Sequence, residues 1–149
     1  MIEIKNHQFP TDVYYDPATH FWVKVEGSTA RIGIDDIEQN TRGGFVVIQL
    51  EEPGKEIHRG QSMGSVEAEK HVGALKAPVS GRVVRINTAL VENPRLANTD
   101  PYGEGWFLEV ELSNFEKERQ ELISGEENIR AWLLAEAQKY EERGWIAES

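Results

Sequence analysis

Cysteine is absent from this 149-residue sequence. The chain therefore has no disulfide framework, no thiolate metal site and no cysteine nucleophile. It also lacks any apolar run near the ~20 residues that a membrane-spanning helix needs, and residues 1–10 contain no signal-peptide core. Positive charge is scarce, because 16 Lys and Arg stand against 26 Asp and Glu, a formal net charge of -10. This balance argues against nucleic acid and anionic membranes as partners. Because cysteines, a signal-peptide core and a membrane span are all missing, we predict a cytoplasmic protein.

Patterns for metal binding or catalysis are missing as well. No metal-ligand spacing is found among the four histidines, His7, His20, His58 and His71. The acidic pair Asp35 and Asp36 is typical of a helix cap or a solvated surface. We therefore expect no metal site and no catalytic site of the protein's own, so that any redox chemistry would come from a cofactor.

What the sequence does contain is a series of short β-rich segments separated by Gly and Pro turns, which predicts a mainly β domain. The strongest segments are 21–25, 29–34, 45–50, 82–87 and 107–112. Segment 45–50, Phe-Val-Val-Ile-Gln-Leu, is predicted to be the best buried strand of the chain. Asp35 is expected to cap a short helix over 36–42 that ends at Gly43 and Gly44.

The C-terminal part of the sequence is predicted to be helical. Ser113 with Glu116, and Ser124 with Glu127, each fit a capping box. A helix over about 126–143 is indicated by apolar residues at helical spacing, Ile129, Trp132, Leu133, Ala137 and Tyr140. We expect this apolar face to pack on the β domain, and the alternative is that the helix binds a partner.

The whole chain is organised around residues 64–81. Two apolar-alternating runs meet there at the polar tip Glu69-Lys70-His71, which predicts a protruding β-hairpin with a lysine at its summit. The ordinary interpretation is that Lys70 is a solvated turn residue, since most lysines are surface charges. The alternative is that its amine is an exposed handle for a covalent group, because it ends a flexible four-carbon stem.

The spacings in this hairpin resemble those of the glycine cleavage H protein family. Its lipoyl-lysine hairpin is usually written Glu-Ser-Val-Lys-Ala, followed by Pro-Val-Ser-Gly. Glu67 lies three residues before Lys70, and Pro78 and Gly81 lie at the family's distances after it. The resemblance extends from Tyr14 to Leu112 through further motifs in the same order, at 30–34, 45–50, 92–94 and 100–106.

This resemblance implies a fold, a cofactor and a set of partners. The fold is a hybrid barrel-sandwich, mainly β, with α-helices added at the C-terminus. The implied organisation is a lipoyl domain over 1–112 and a helical segment, 113–149, packed on the same domain. Lipoate is expected on Lys70, attached by lipoate-attaching enzymes, in a carrier that is not itself an enzyme. A biotin carrier is disfavoured because methionines would flank its lysine, whereas Glu69 and His71 do so here.

The resemblance also suggests roles for side chains around Lys70. Recognition of the hairpin by the lipoate-attaching enzymes is expected to involve Glu67, Glu69, His71 and Gly81. A cleft that shelters the loaded arm is expected to be lined by His20, Phe21, His71 and Ala74.

Two of these positions depart from the family pattern. Phe21 stands where the family has a glutamate, and Ala74 stands where it has an aspartate. A cationic aminomethyl cargo would thereby lose charge-assisted hydrogen bonds worth roughly 1.5–3 kcal/mol each. Either the two positions have drifted, with Glu67 or Glu69 compensating, or the arm carries a different cargo.

The tip over 67–73 is similar to the H-like lipoate-binding proteins of bacterial sulfur oxidation. The favoured prediction is therefore a lipoyl arm on Lys70 that carries a sulfur-containing intermediate for a heterodisulfide-reductase-like complex. The alternative is the H protein of the glycine cleavage system. Its partners would be glycine decarboxylase, aminomethyltransferase and dihydrolipoamide dehydrogenase. A third interpretation is an unmodified H-like protein that serves as an interaction surface.

Overall fold

The computed structural model of the chain describes residues 1–146. The strands are β1 (Ile2–Ile4), β2 (His7–Phe9), β3 (Tyr14–Tyr15), β4 (Phe21–Glu26), β5 (Thr29–Ile34), β6 (Phe45–Leu50), β7 (Glu56–Ile57), β8 (Ser62–Ala68), β9 (His71–Lys76), β10 (Gly81–Ile86) and β11 (Leu108–Leu112). The helices are α1 (Asp36–Arg42), α2 (Thr88–Glu92), α3 (Leu96–Thr99), α4 (Phe115–Glu118) and α5 (Glu126–Glu142), with a 3-10 turn at Arg119–Glu121. The predicted mainly β architecture with C-terminal helices is confirmed.

Two antiparallel sheets contribute side chains to one apolar core. The larger has the strand order β3-β4-β5-β11-β10-β7, and the smaller has the order β6-β8-β9. Between them lies a cluster that we call the inner core, whose largest fully buried members include Phe21, Ile32, Phe45, Met63 and Phe107. The burial of these side chains removes apolar surface from water, which is the main favourable term in folding.

Strand β6 is less buried than its sequence predicts. Only Phe45 and Ile48 are buried, whereas Val46 and Val47 are exposed. A shift in pairing register between Phe45 and Val47 interrupts the alternation, and the outer face of the three-stranded sheet is open to solvent. The prediction that 45–50 is the best buried strand of the chain is therefore wrong, since β5 is more buried.

A hairpin formed by β1 and β2 precedes the sandwich and was missed by the sequence analysis. Its two-residue turn consists of Lys5 and Asn6, both with positive φ. Asn tolerates this left-handed conformation better than most residues. The alternation Ile-Glu-Ile before the turn was the signal, because Ile2 and Ile4 point to the same side and are buried.

Helix α5 packs against this hairpin and against the N-terminal part of the chain. Together they form a second apolar cluster, here called the outer layer, which comprises Ile2, Ile4, Phe9, Val13, Tyr15, Trp22, Ile37, Ile129, Leu133, Ala137, Tyr140 and Ile146. The helix thus lays one apolar face on the folded domain. None of the helices within residues 1–146 is both long and apolar enough to cross a membrane.

Of the three helix caps predicted from the sequence, one is found in the structure and two are not. Asp35 caps α1, since its Oδ1 accepts a hydrogen bond from the Glu38 backbone N–H at 2.8 Å. The capping boxes predicted at Ser113 and Ser124 are wrong: the cap positions of α4 and α5 are held by Asn114 and Gly125, and neither makes a side-chain cap bond within the described residues.

Candidate functional site

Lys70 lies at the tip of the β8–β9 hairpin, as predicted. Ala68 pairs with His71 at the end of the ladder, so Glu69 and Lys70 form a two-residue turn. The Lys70 backbone N–H donates to the Arg42 carbonyl at 2.8 Å, while its side chain is exposed. The backbone at the tip is therefore fixed and the amine is accessible.

Glu69 holds the hairpin tip against the connection between α1 and β6. Its Oε1 accepts a hydrogen bond from the Gly44 backbone N–H at 2.5 Å, and its own N–H donates to the Gly44 carbonyl at 3.0 Å. A Cβ at Gly44 would lie 2.5 Å from that same Oε1, so a larger residue there would have to displace the carboxylate. Glu69 is exposed, but its carboxylate is held by the backbone next to Lys70.

Glu67 and Gly81 occupy different surroundings. Glu67 is exposed on the outer face of the small sheet, between Val47 on β6 and Val72 on β9. Val72 is 74% exposed. Gly81 is buried in β10, where a Cβ would lie 2.3 Å from the Glu111 carbonyl oxygen. Close packing of β10 against β11 accounts for this glycine, which lies outside the hairpin.

A cleft of about 590 Å³ opens beside the hairpin tip. It is lined by Ala18, Thr19, Phe21, Glu38, Thr41, Arg42, Lys70, His71, Ala74, Lys76, Tyr140 and Trp145. The structure thus brings three of the predicted cleft residues, Phe21, His71 and Ala74, to one cavity together with Lys70. His20 is not among the lining residues.

His20 lies behind the cleft and fastens α5 to the sandwich. Its ring Nδ1 is 2.6 Å from Asp35 Oδ2, and its Nε2 is 2.8 Å from Glu136 Oε1. Burial lowers the pKa of His20, but the Asp35 charge and the hydrogen bonds that the ring donates to both carboxylates outweigh this effect and raise the pKa to about 10. At neutral pH the ring is therefore an imidazolium held between two acids, with a structural role.

The cleft has a charged pair of its own. Arg42 Nε donates to Glu38 Oε2 at 2.8 Å, and the Tyr140 hydroxyl donates to Glu38 Oε1 at 2.8 Å. The Arg42 guanidinium also lies 5.4 Å from the centroid of the Phe21 ring. Among the described residues that line the cleft, Glu38 is the one carboxylate, and both its oxygens are already bonded.

Two features of the cleft make it unfavourable for a cation. The first is Arg42, whose guanidinium is positively charged and offers hydrogen-bond donors but no acceptor. Its Nη1 atom is buried without a hydrogen-bond partner among the described residues. Burial and the Arg42 charge lower the pKa of His71 below its ordinary value. His71 is therefore neutral at pH 7. Within residues 1–146, no group of His, Asp and Glu side chains is arranged to hold a metal ion.

Several residues of this site were not found from the sequence. Glu38 and Arg42 carried a signal, because acid and base four residues apart on a predicted helix form a typical pair. Tyr140 and Trp145 carried none, since about 70 residues separate them from Lys70 and only the tertiary fold brings them together. Glu136, the second partner of His20, was missed for the same reason.

Comparisons with known proteins agree with this geometry. A family model described as glycine cleavage H-protein matches residues 13–135. The chain belongs to the glycine cleavage H-protein family. It is 47% identical over 118 residues to the glycine cleavage system H protein of Carboxydothermus hydrogenoformans, covering 79% of this chain and 89% of that relative.

Other relatives of this H-family protein agree. It is 42% identical over 123 residues to the glycine cleavage system H protein of Rubrobacter xylanophilus, covering 83% of this chain and 94% of the relative. The crystal structure of a glycine cleavage system H protein from Mycobacterium marinum superposes with a TM-score of 0.65 and 38% identity, over 70% of this chain and 87% of that one. This likeness confirms the barrel-sandwich fold.

Membership of the family establishes the general role of this H-family protein. Glycine cleavage H proteins carry lipoate covalently attached to a lysine. They are carrier subunits without catalytic activity of their own. An accessible lysine at the tip of a fixed hairpin, beside a cleft with apolar side chains in its lining, fits such a group.

Proposed function

We propose that Lys70 is the lipoyl-attachment site and that this H-family protein carries the aminomethyl group in a glycine cleavage system. The observation that carries the attachment site is the placement of an accessible amine, on a fixed backbone, at the mouth of the cleft. The names of the relatives support the glycine cleavage role. Lipoate would be joined through an amide bond to Lys70 Nζ, and when bound it supplies a reversible dithiol–disulfide pair.

Each residue near Lys70 has a separate part in this proposal. Glu69 positions the attachment site by holding the tip on Gly44. Glu67 is free to contact a lipoate-attaching enzyme from the exposed sheet face, and Gly81 supports the hairpin by allowing β10 to pack closely. Phe21 and Ala74 form apolar walls for the arm, which at roughly ten projected bonds reaches on the order of 14 Å.

The partners and context follow from this role. We expect lipoate-attaching enzymes, glycine decarboxylase, aminomethyltransferase and dihydrolipoamide dehydrogenase to act on the protein in the cytoplasm. The net charge of -10 suits docking on basic surfaces of these enzymes. Residues 1–112 would form the lipoyl domain and 113–149 its helical extension, of which 147–149 lie outside the described residues.

A second candidate is favoured by the chemistry of the cleft. Phe21 and Ala74 stand where the family's cation-binding acids are expected, and both oxygens of Glu38 are bonded to neighbouring residues. A buried cation without a carboxylate partner is costly. A neutral sulfur cargo would avoid that cost, and an anionic one would be attracted by the charge of Arg42 in the cleft lining. The second candidate is therefore a sulfur carrier for a heterodisulfide-reductase-like complex.

The attachment site is tested by intact mass after incubation with lipoate and a lipoate-attaching enzyme. Lys70→Ala is expected to abolish the lipoyl mass increment completely, because no other amine occupies the hairpin tip. Lys76→Ala is a matched control, since Lys76 also lines the cleft, and it should be lipoylated like the parent. A lipoyl increment retained by the Lys70→Ala protein would disprove the assignment.

The cargo is tested on the lipoylated protein by a second mass measurement. Incubation with glycine and glycine decarboxylase should add an aminomethyl increment under the glycine cleavage proposal. A control H protein that loads while this one does not would contradict it. Loading by a sulfur donor instead would establish the second candidate.

A further inference from the structure

The chain after α5 turns back toward the cleft. Gly144, with a φ of +72°, permits the reversal, and the Trp145 N–H donates to the Tyr140 carbonyl at 2.8 Å. The Trp145 indole then meets the Tyr140 ring edge-on, with 5.0 Å between the ring centroids. We call residues 140–145 the C-terminal turn. It places two aromatic rings on the wall of the cleft that contains Lys70.

The C-terminal turn is held in place by polar contacts on several sides. Glu136 bonds His20 at 2.8 Å, the Tyr140 hydroxyl donates to Glu38 at 2.8 Å, and Glu141 pairs with Lys5 at 2.5 Å. The wall is therefore a fixed part of the fold. It lies beyond residue 135, where the match to the H-protein family model ends.

Trp145 is poorly explained as a core residue. It is 44% exposed, although the apolar side chains of α5 that face the domain are buried. Large exposed aromatics adjoining a cavity are typical of binding surfaces. Arg143 covers one side of the indole at 5.0 Å, and the ring itself borders the cleft.

We propose that the C-terminal turn is a subsite for the end of the lipoyl arm, in which the uncharged disulfide ring rests against Trp145. The proposal depends on the lipoylation of Lys70 proposed above. Lys70 and Trp145 border the same cleft, and an arm that reaches on the order of 14 Å is long enough to fold back into it. Sulfur makes favourable contacts with aromatic rings. Phe21, on β4, adds a second apolar ring to the lining of the same cleft. The subsite thus selects an arm whose end is uncharged.

The first experiment compares the unmodified and the lipoylated full-length protein by the indole N–H resonances in ¹⁵N-correlated NMR spectra. Lipoylation should shift the Trp145 resonance, which is assigned by its loss in Trp145→Phe. Trp106 is the internal control, because Arg31 and Arg85 cover its ring and it does not line the cleft. Its resonance should stay in place.

The second experiment measures how fast the reductant tris(2-carboxyethyl)phosphine opens the disulfide ring of the lipoylated arm. Trp145→Ala should speed this reduction roughly two- to tenfold, the range that one sulfur–aromatic contact supplies. Leu134→Ala is the matched control, since Leu134 is 56% exposed on α5 and lines no part of the cleft. It should leave the rate unchanged.

The outcomes separate this proposal from the one on which it depends. A protein without a lipoyl mass increment at Lys70 would overturn both. A lipoylated protein whose Trp145 resonance stays in place, and whose disulfide ring is reduced at the same rate in parent and Trp145→Ala, would overturn the subsite alone.

Discussion

The inner core and the outer layer are built on different principles. Every member of the inner core is apolar, and its strands are joined by backbone hydrogen bonds. The outer layer joins α5 to the sandwich, and the polar pairs of His20 with Asp35 and Glu136 lie inside this contact. A buried polar pair is stabilising only while both partners keep their protonation state and geometry. The molecule thus combines a core that tolerates changes of pH with an attached helix that depends on specific charges.

The difference bears on function because the cleft lies at the junction. Phe21 and Ala74 belong to the sandwich, whereas Tyr140 and Trp145 belong to the attached segment. The stability of one wall of the cleft therefore depends on the inner core. The stability of the other wall depends on the docking of α5 and on its polar pairs. Changes that separate the two regions should alter the cleft before they unfold the domain.

The largest expected effect comes from the inner core. Phe107 is fully buried and meets Phe21 edge-on at 5.5 Å. Phe107→Ala should lower the free energy of unfolding by about 3–5 kcal/mol, because it removes packed apolar surface and leaves a cavity. Urea titration of the full-length protein measures this loss. Val84→Ala, at an exposed position on β10, should change the free energy by no more than about 0.5 kcal/mol.

A smaller and more local effect is expected in the outer layer. Leu133 on α5 is fully buried, and Leu133→Ala should cost about 2–4 kcal/mol. The cost should fall on the docking of α5, so hydrogen exchange should accelerate over 126–142 while the amides of β4 and β11 keep their protection. Leu134→Ala is the neutral control. Equal loss of protection in the strands would mean that the two regions unfold as one unit.

The smallest expected effect is that of a change of one pH unit. His20 has a pKa of about 10 in the folded protein against an ordinary 6.5. Its contribution to stability is therefore complete below about pH 6.5 and is lost as the pH rises through about 10. Between these values the loss is at most about 1.4 kcal/mol per pH unit. Hydrogen exchange of α5, corrected for the intrinsic effect of pH on exchange, should report it.

His20→Gln should weaken the docking of α5 and remove this pH dependence. The groups that face the ring are Asp35, Glu136 and the Trp132 and Tyr140 rings. Their contacts distinguish His20 from the exposed His58, so His58→Gln should keep the slope of the parent. The same slope in His20→Gln would show that another group titrates.

Much of the sandwich was predictable because residues close together in the sequence determine its strands and turns. Segment 29–34 matches β5 at both ends, and Asp35 caps α1 as expected. The hairpin tip at Lys70 was also found, since turn residues and alternation mark it directly. β6 was misjudged because its pairing shift and free outer face depend on neighbours distant in sequence.

The cleft was only half predictable for the same physical reason. Phe21, His71 and Ala74 were named through the family resemblance and do line it. His20 was placed in the cleft because it neighbours Phe21 in sequence, but it precedes β4 in a left-handed conformation with a φ of +64°, and its ring bonds Asp35 and Glu136 instead. The aromatic wall from Tyr140 and Trp145 depends on how α5 docks, which no local pattern encodes.

The hydrogen bonds between Glu69 and Gly44 fix the backbone of the hairpin tip in position. Motion of the cargo must then come from the arm alone. An arm confined to a hemisphere with a radius on the order of 14 Å keeps its end at an effective concentration on the order of 0.1 M. A client enzyme that docks within this volume meets its substrate at a concentration far above that of the carrier in bulk solution. Because the hairpin tip does not move, the place where a client enzyme docks on the carrier decides whether the arm can reach that enzyme.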